Sequence, residues 1–157
     1  YPLQPAATDT NILALPQTTT HANLVGSRLF TFDLKEKRLK LFSINPESSI
    51  SLKLEAEIEA RGLSTPIAQE YIVACCNSFL VIAHKITKKL LVYRIAEKGD
   101  AKGFVEFGFT VIPGEGKIFD VGFDGSDGVG LLVGVSFNGE GADLLDGKFY
   151  KIGLNVV

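Results

Sequence analysis

The sequence contains few of the residues on which most protein chemistry relies. Its 157 residues include no Met, no Trp, two Cys and two His. No apolar run approaches the ~18–20 residues needed to cross a bilayer, so we expect no membrane association. The opening segment YPLQPAATDT lacks the basic and apolar regions of a signal peptide. Because even an initiator Met is missing, we expect a processed form or an excised piece of a longer chain.

Motifs for catalysis and nucleotide binding are also missing. The chain has no GxSxG, no GxGxxG and no Gly-Lys-Ser/Thr sequence. His21 and His84 are 63 residues apart, which gives little basis for a nucleophile–base pair. We therefore predict a protein that is not an enzyme and needs no cofactor.

Both cysteines lie in one stretch, ACCNSFLVIAHKITKKLLVYRI (74–95). Cys75 and Cys76 are neighbours, and neighbours on a strand point to opposite faces, so a disulfide between them is unfavourable. Zinc needs about four ligands, and these cysteines with His21 and His84 show no usual zinc spacing. We predict a β-hairpin with packed thiols and no metal. Without a disulfide framework, the expected location is intracellular, in the cytoplasm or nucleus.

Charge is small in total but unevenly distributed. The net charge is −2, with 13 basic against 9 acidic residues from Arg28 to Lys102, and 3 against 8 from Gly103 onward. This polarity is weaker than that of nucleic-acid-binding domains, so nucleic acid is an unlikely partner. The two halves could complement each other within one molecule or between copies.

Apolar and polar residues alternate along most of the chain, which predicts an all-β fold. The segment SLKLEAEIEARG (51–62) has helix propensity, but its apolar residues fall at every second position, so we predict a strand. Polar or Gly-rich turns of the kind that join antiparallel neighbours separate the strands. The other predicted strands are near 21–26 and at 29–34, 39–44, 71–76, 79–84, 90–95, 104–111, 118–123, 131–137 and 148–154.

An internal repeat of 51 residues underlies this pattern. RLFTFDLKEKRLKLFSIN (28–45) aligns with FLVIAHKITKKLLVYRIA (79–96), and KLEAEIEA (53–60) aligns with FVEFGFTV (104–111). A third copy, offset by about 57 residues, contains KFYKIG (148–153). Units of about 50 residues with four antiparallel strands are typical of β-propeller blades. In this pattern the chain resembles the divergent WD40-like propeller superfamily, without the Gly-His and Trp-Asp signatures of true WD40 repeats.

The repeats predict a flexible segment over 1–10 followed by three blades over about 11–62, 63–113 and 114–157. A first strand is predicted at 11–17, and the last unit ends after its third strand. Closed propellers have about four to eight blades, so three would form part of a larger propeller or be completed by a second copy or a partner protein. A two-sheet β-sandwich is the alternative fold.

Two basic turns at equivalent places in the first two repeats supply the candidate binding residues. With Lys40 they would line one rim and attract an acidic protein, a phosphorylated peptide or a nucleic-acid backbone. The alternative is that they are ordinary solvated turns. The candidate residues are Lys35, Lys37, Arg38, Lys85, Lys88 and Lys89.

These observations predict a non-enzymatic scaffold module that binds other proteins. A propeller that binds a small ligand or carbohydrate is a second possibility. An enzyme that uses loop carboxylates is a third, since carboxylate pairs can do acid–base chemistry. The DGSDG segment (124–128) does not match a calcium loop. The loop carboxylates are Asp124, Asp127, Glu140 and Asp143.

Overall fold

In the part of the chain that the structure describes, the regular structure consists of eleven β-strands and one short 3-10 turn (Ala68–Glu70). The computed structural model describes residues 15–45, 51–99, 101–124, 130–137 and 146–154. The strands are β1 (His21–Val25), β2 (Arg28–Asp33), β3 (Arg38–Asn45), β4 (Ser51–Glu59), β5 (Tyr71–Cys75), β6 (Phe79–His84), β7 (Lys89–Lys98), β8 (Ala101–Val111), β9 (Lys117–Asp124), β10 (Gly130–Ser136) and β11 (Gly147–Gly153).

The strands pair in chain order into three antiparallel sheets. Sheet 1 consists of β1 to β4, sheet 2 of β5 to β8, and sheet 3 of β9, β10 and β11. The sheets do not close into a barrel. The all-β prediction is therefore confirmed. Because the described residues form three sheets, a two-sheet sandwich does not describe them.

The alternating pattern identified the strands more reliably than residue propensity did. Most of the helix-prone segment 51–62 forms β4 (Ser51–Glu59), in which Ala56 is buried and its neighbours Glu55 and Glu57 are more exposed. The predicted first strand, 11–17, lies mostly outside the described residues. Its last three residues form no strand, since they lead into a turn in which the N–H of Thr19 donates to the Pro16 carbonyl at 2.9 Å.

The 51-residue repeat is visible in the backbone of the first two sheets. Lys37 and Lys88 both adopt left-handed conformations, with φ of 57° and 60°. A bulge follows Leu41 in the pairing of β3 with β4, and another follows Val92 in the pairing of β7 with β8. The left-handed lysine and the bulge of sheet 2 each lie 51 residues after their counterparts in sheet 1. The repeat therefore specifies turn geometry and strand register as well as composition.

Two hydrophobic cores lie between the sheets, and β6 contributes to both. Leu80 and Ile82 belong to the core shared with sheet 1, whereas Phe79, Val81 and Ala83 belong to the core shared with sheet 3. All six residues of β6 are buried. Successive side chains of a strand point to opposite faces, so a run that is apolar on both faces requires a sheet on each side. Sheet 2 is therefore the middle layer.

Two side chains on β1 fix the direction of sheet 1 relative to sheet 2. His21 Nε2 donates to the carbonyl of Tyr71 at 3.0 Å, and Asn23 Nδ2 donates to the carbonyl of Val73 at 2.9 Å. Since contacts advance along both strands in the same order, β1 and β5 run in the same direction. The equivalent turns of the two sheets consequently lie at the same end of the molecule.

Candidate interaction surfaces

The two basic turns lie at that common end, as their repeat positions predict. Lys35 and Lys37 are exposed and line a cleft of about 560 Å³, together with residues 63–66. Arg38 instead forms an ion pair with Glu57, at 2.9 Å. The first turn therefore leaves two lysines available to a ligand.

In the second turn, most of the positive charge is held within the protein. Lys88 is buried, and its Nζ donates to the carbonyl of Gly114. Lys89 Nζ lies 5.0 Å from the centre of the Phe109 ring, while Lys85 is half-buried. The structure brings the two turns to one end, but Arg38, Lys88 and Lys89 are engaged in internal contacts.

The adjacent cysteines lie in different cores, as strand alternation predicts. Cys75 packs against the core between sheets 1 and 2, and Cys76 belongs to the core between sheets 2 and 3. Both thiols are free, and burial raises the pKa of Cys75 to about 12. A thiol with this pKa is protonated near neutral pH, so Cys75 is a poor nucleophile and metal ligand. His84 pairs across from Tyr71 and does not approach either thiol.

His84 is a buried residue in a polar network that the sequence did not reveal. Its Nδ1 accepts the N–H of Thr87 at 3.1 Å, so the neutral ring carries its proton on Nε2, which faces Glu70 Oε2 at 3.3 Å. Glu70 also accepts the hydroxyl of Thr65 at 2.6 Å, and this bond, followed by the one to His84, lowers the pKa of Glu70. His84 itself is 4% exposed, whereas Thr65 and Glu70 are half-buried and Thr87 is exposed, so the network fastens the segment before β5 to the turn after β6 at the protein surface.

His21 is expected to make stability fall as the pH is lowered. Burial lowers its pKa below the usual 6.5, against the opposing effect of its bond to the Tyr71 carbonyl. The folded state then binds fewer protons than the unfolded state, so stability falls as the pH drops below the unfolded pKa of 6.5. We expect the urea midpoint to be lower at about pH 5 than at about pH 7.5, and the difference to shrink in His21→Gln. Glu70 has little effect on stability between about pH 5 and 7.5. Its pKa is lowered in the folded state, so its contribution to stability is lost mainly as the pH falls below the usual 4.5. An unchanged pH dependence in the variant would contradict the assignment.

Acidic and metal-binding candidates receive little support from the described residues. No group of three or more His, Cys, Asp or Glu side chains there could hold a metal ion. Asp124 is paired with Lys151 at 2.8 Å, while Asp127, Glu140 and Asp143 lie outside the described residues. Among the same residues, no helix has the length and hydropathy to cross a membrane.

The face of sheet 3 that points away from sheet 2, called here the outer face, carries exposed apolar side chains that no described residue covers. Phe149 is 77% exposed, Leu132 41% and Phe119 38%. The rings of Phe119 and Phe149 meet edge to face, 5.8 Å apart. A Cβ added at Gly134 would lie 2.5 Å from the Phe119 ring, so that ring lies directly over the glycine. The signal in the sequence was the segment LLVGVSF (131–137), in which Leu132 places an apolar side chain on the face opposite to Leu131 and Val133, although sheet 3 borders one other sheet among the described residues.

Among the described residues, sheet 3 has three strands, whereas the other two sheets have four each. In sheets 1 and 2 the third strand pairs with a fourth, β4 or β8. Within the described residues, no strand pairs with the other edge of β11. A row of unpaired backbone groups at a sheet edge is a template for another strand.

Comparisons with known proteins do not assign the chain to a family. No family model, no curated protein and no solved structure matches it. The resemblance to WD40-like propellers therefore stays a prediction, and the function is argued below from the chain's own surfaces.

Proposed function

We propose that this chain is a non-enzymatic protein-interaction module built from β-propeller blades, whose open stack of sheets is completed by a second copy. The observation that carries this proposal is the apolar outer face of sheet 3, with Phe149 77% exposed. Exposed apolar patches of this kind are typical of protein interfaces. The residues of sheet 3 that face sheet 2, such as Leu131 and Val133, are fully buried in the same arrangement.

The outer face of sheet 1 has the chemistry to cover this surface. Leu24 is 67% exposed and Leu54 48%. The side chains of His21 and Asn23 bond to sheet 2. Because successive side chains of a strand point to opposite faces, Leu24 lies on the other face of β1 and points away from sheet 2. Lys40 also lies on the outer face of sheet 1, and Asp120 is exposed on sheet 3, so the two faces carry charges of opposite sign. Apolar side chains thus meet apolar side chains, with charges of opposite sign at the rim.

The number of sheets also favours a second copy. Two copies packed head to tail, sheet 3 of each on sheet 1 of the other, would contain six sheets. This number lies within the range of about four to eight blades in which propellers close. A two-fold ring would leave the basic turns of both copies on one end of the assembly, which is where a further partner could bind.

Absolute mass in solution tests the proposal, with light scattering coupled to size-exclusion chromatography. We expect a mass near twice 17.0 kDa for the chain. Phe149→Ser should return the mass to that of a single chain, because it removes the most exposed ring of the outer face. Phe109→Ser is the matched control, since Phe109 is 70% exposed on another sheet and should leave the dimer intact. A single-chain mass for the unmodified protein, or equal effects of both variants, would contradict the proposal.

A further inference from the structure

One wall of the cleft at the basic end is the turn between β2 and β3, which carries Lys35 and Lys37. Two hydrogen bonds hold the backbone of this turn. The N–H of Glu36 donates to Asp33 Oδ1 at 3.1 Å, and the N–H of Ala60 donates to the carbonyl of Lys37 at 2.7 Å. Both lysine side chains are exposed, and among the described residues neither has an ion-pair or hydrogen-bond partner. The turn therefore presents two unpaired positive charges from a backbone that is fixed in place.

The opposite wall is the connection between β4 and β5, which the network around His84 holds in position. Tyr71 Oη accepts the N–H of Thr65 at 3.0 Å and donates to the Thr65 carbonyl at 2.8 Å. The hydroxyl of Thr65 joins this wall to the network. Leu63 and Pro66 add apolar surface on either side of this anchor. The cleft thus combines a charged wall with a largely apolar one, and internal hydrogen bonds fix both.

The second repeat shows how such a lysine is paired when no ligand is needed. Lys88 is the counterpart of Lys37, 51 residues later, and in the same register Gly114 is the counterpart of Leu63. Lys88 is buried, and its Nζ donates to the Gly114 carbonyl. No equivalent bond joins Lys37 to Leu63, and Lys37 stays exposed. An internal contact therefore satisfies the lysine of the second repeat, whereas the cleft of the first repeat stays open and charged.

The charges of the cleft match a phosphate monoester better than a carboxylate. Glu36 lies between the two lysines in the sequence but does not line the cleft, and no other described carboxylate lines it. A phosphorylated serine carries a charge of about −1.5 to −2 near neutral pH and three acceptor oxygens. Lys35 and Lys37 supply two positive charges, and Ser64 at the opposite wall supplies a hydroxyl donor. The volume of about 560 Å³ is also within the range of about 300–1,000 Å³ that is usual for ligand pockets.

We propose that this cleft binds a phosphorylated serine of a partner protein, with apolar residues on either side of the phosphoserine. This inference rests on the proposed function as a protein-interaction module and names the chemistry of its further partner. The phosphoryl oxygens accept hydrogen bonds from Lys35, Lys37 and Ser64. The flanking apolar side chains pack on Leu63 and Pro66. Because the cleft is built from turns at one end of the stack, a second copy on the outer faces leaves it accessible.

A labelled peptide tests the proposal by fluorescence anisotropy. The probe is Gly-Ala-Leu-pSer-Leu-Ala-Gly, in which pSer is phosphoserine, and the full chain is titrated into it. We expect saturable binding with a Kd below about 1 mM. Two control peptides carry unmodified serine or aspartate at the central position. Both should bind at least about tenfold more weakly, because they offer the two lysines no charge or a single one. Absence of binding, or an affinity for either control equal to that for the phosphopeptide, would overturn the proposal.

Lysine variants locate the binding. Lys37→Asn removes one charge but keeps a residue that tolerates the left-handed backbone, and it should weaken binding at least about tenfold. Lys35→Ala should weaken binding by a similar factor. Lys53→Ala is the matched control, since Lys53 is an exposed lysine near the start of β4, at the other end of the sheet. Circular dichroism and urea midpoints establish that each variant is folded. An affinity of either cleft variant equal to that of the control variant would overturn the site.

The mass of the chain in the same samples separates this inference from the proposed dimer. A dimer that fails to bind the phosphopeptide would overturn the cleft alone. Binding of the phosphopeptide to a single chain of 17.0 kDa, with the expected loss in Lys37→Asn, would support the cleft and overturn the dimer alone.

Discussion

Replacing Ile82 with Ala is expected to lower the free energy of unfolding by about 3 kcal/mol. Ile82 is 1% exposed and lies in the core between sheets 1 and 2. Truncation removes buried apolar surface and leaves a cavity that the surrounding strands can fill only in part. Urea denaturation followed by circular dichroism measures the change.

Ile86→Ala is the matched control for this prediction. Ile86 lies in the turn after β6, is 47% exposed, and undergoes the same change of side chain. Its replacement should change stability by no more than about 0.5 kcal/mol. Similar losses for the two variants would contradict the burial of Ile82 in the core between sheets 1 and 2.

Gly116→Ala is expected to be about as damaging, for a different reason. Gly116 has a φ of +103°, which side chains with a Cβ rarely adopt. The added Cβ would also lie 2.6 Å from the carbonyl oxygen of Ser136 and 2.8 Å from Cγ1 of Val135. Backbone strain of about 1–2 kcal/mol and overpacking of about 1–3 kcal/mol together predict a loss of about 3 kcal/mol.

Gly26→Ala separates the two contributions. Gly26 has a φ of +61°, but an added Cβ there would meet no atom within 4 Å. This variant should therefore lose only about 1 kcal/mol, from backbone strain alone. Equal losses in the free energy of unfolding for Gly26→Ala and Gly116→Ala, in the same urea titration, would contradict the close approach of Gly116 to β10.

The strands and the first two sheets were predictable because their physical signal is local. Alternation in the segment 51–62 correctly predicted a strand despite its helix propensity. It did not predict the bulge, which places Leu54 on the outer face of sheet 1 and Ala56 in the core. The 51-residue repeat likewise predicted that Lys37 and Lys88 would occupy equivalent turns. The third repeat was harder to define, because its connections differ in length from those of the first two.

The burial and the hydrogen-bond partners of individual charged and polar side chains could not be predicted from the sequence. A lysine in a hairpin turn is ordinarily solvated, and Lys88 is buried because the segment before β9 brings the Gly114 carbonyl to it. The partners of His84 are Thr65, Glu70 and Thr87, which converge only once the segment before β5 folds over the turn. Both outcomes depend on contacts between sheets, which no local pattern encodes.

Each strand pairs with its neighbour in sequence, and this arrangement determines where the protein begins to unfold. Every sheet is a meander that forms from adjacent segments, and only the stacking of sheets joins distant residues. Such an array behaves as a one-dimensional series of units coupled to their nearest neighbours. Sheet 2 has two neighbours, whereas sheets 1 and 3 have one each among the described residues. In a single chain, local opening is therefore expected to begin at sheets 1 and 3, and the amide protons of β6 are expected to exchange with solvent last.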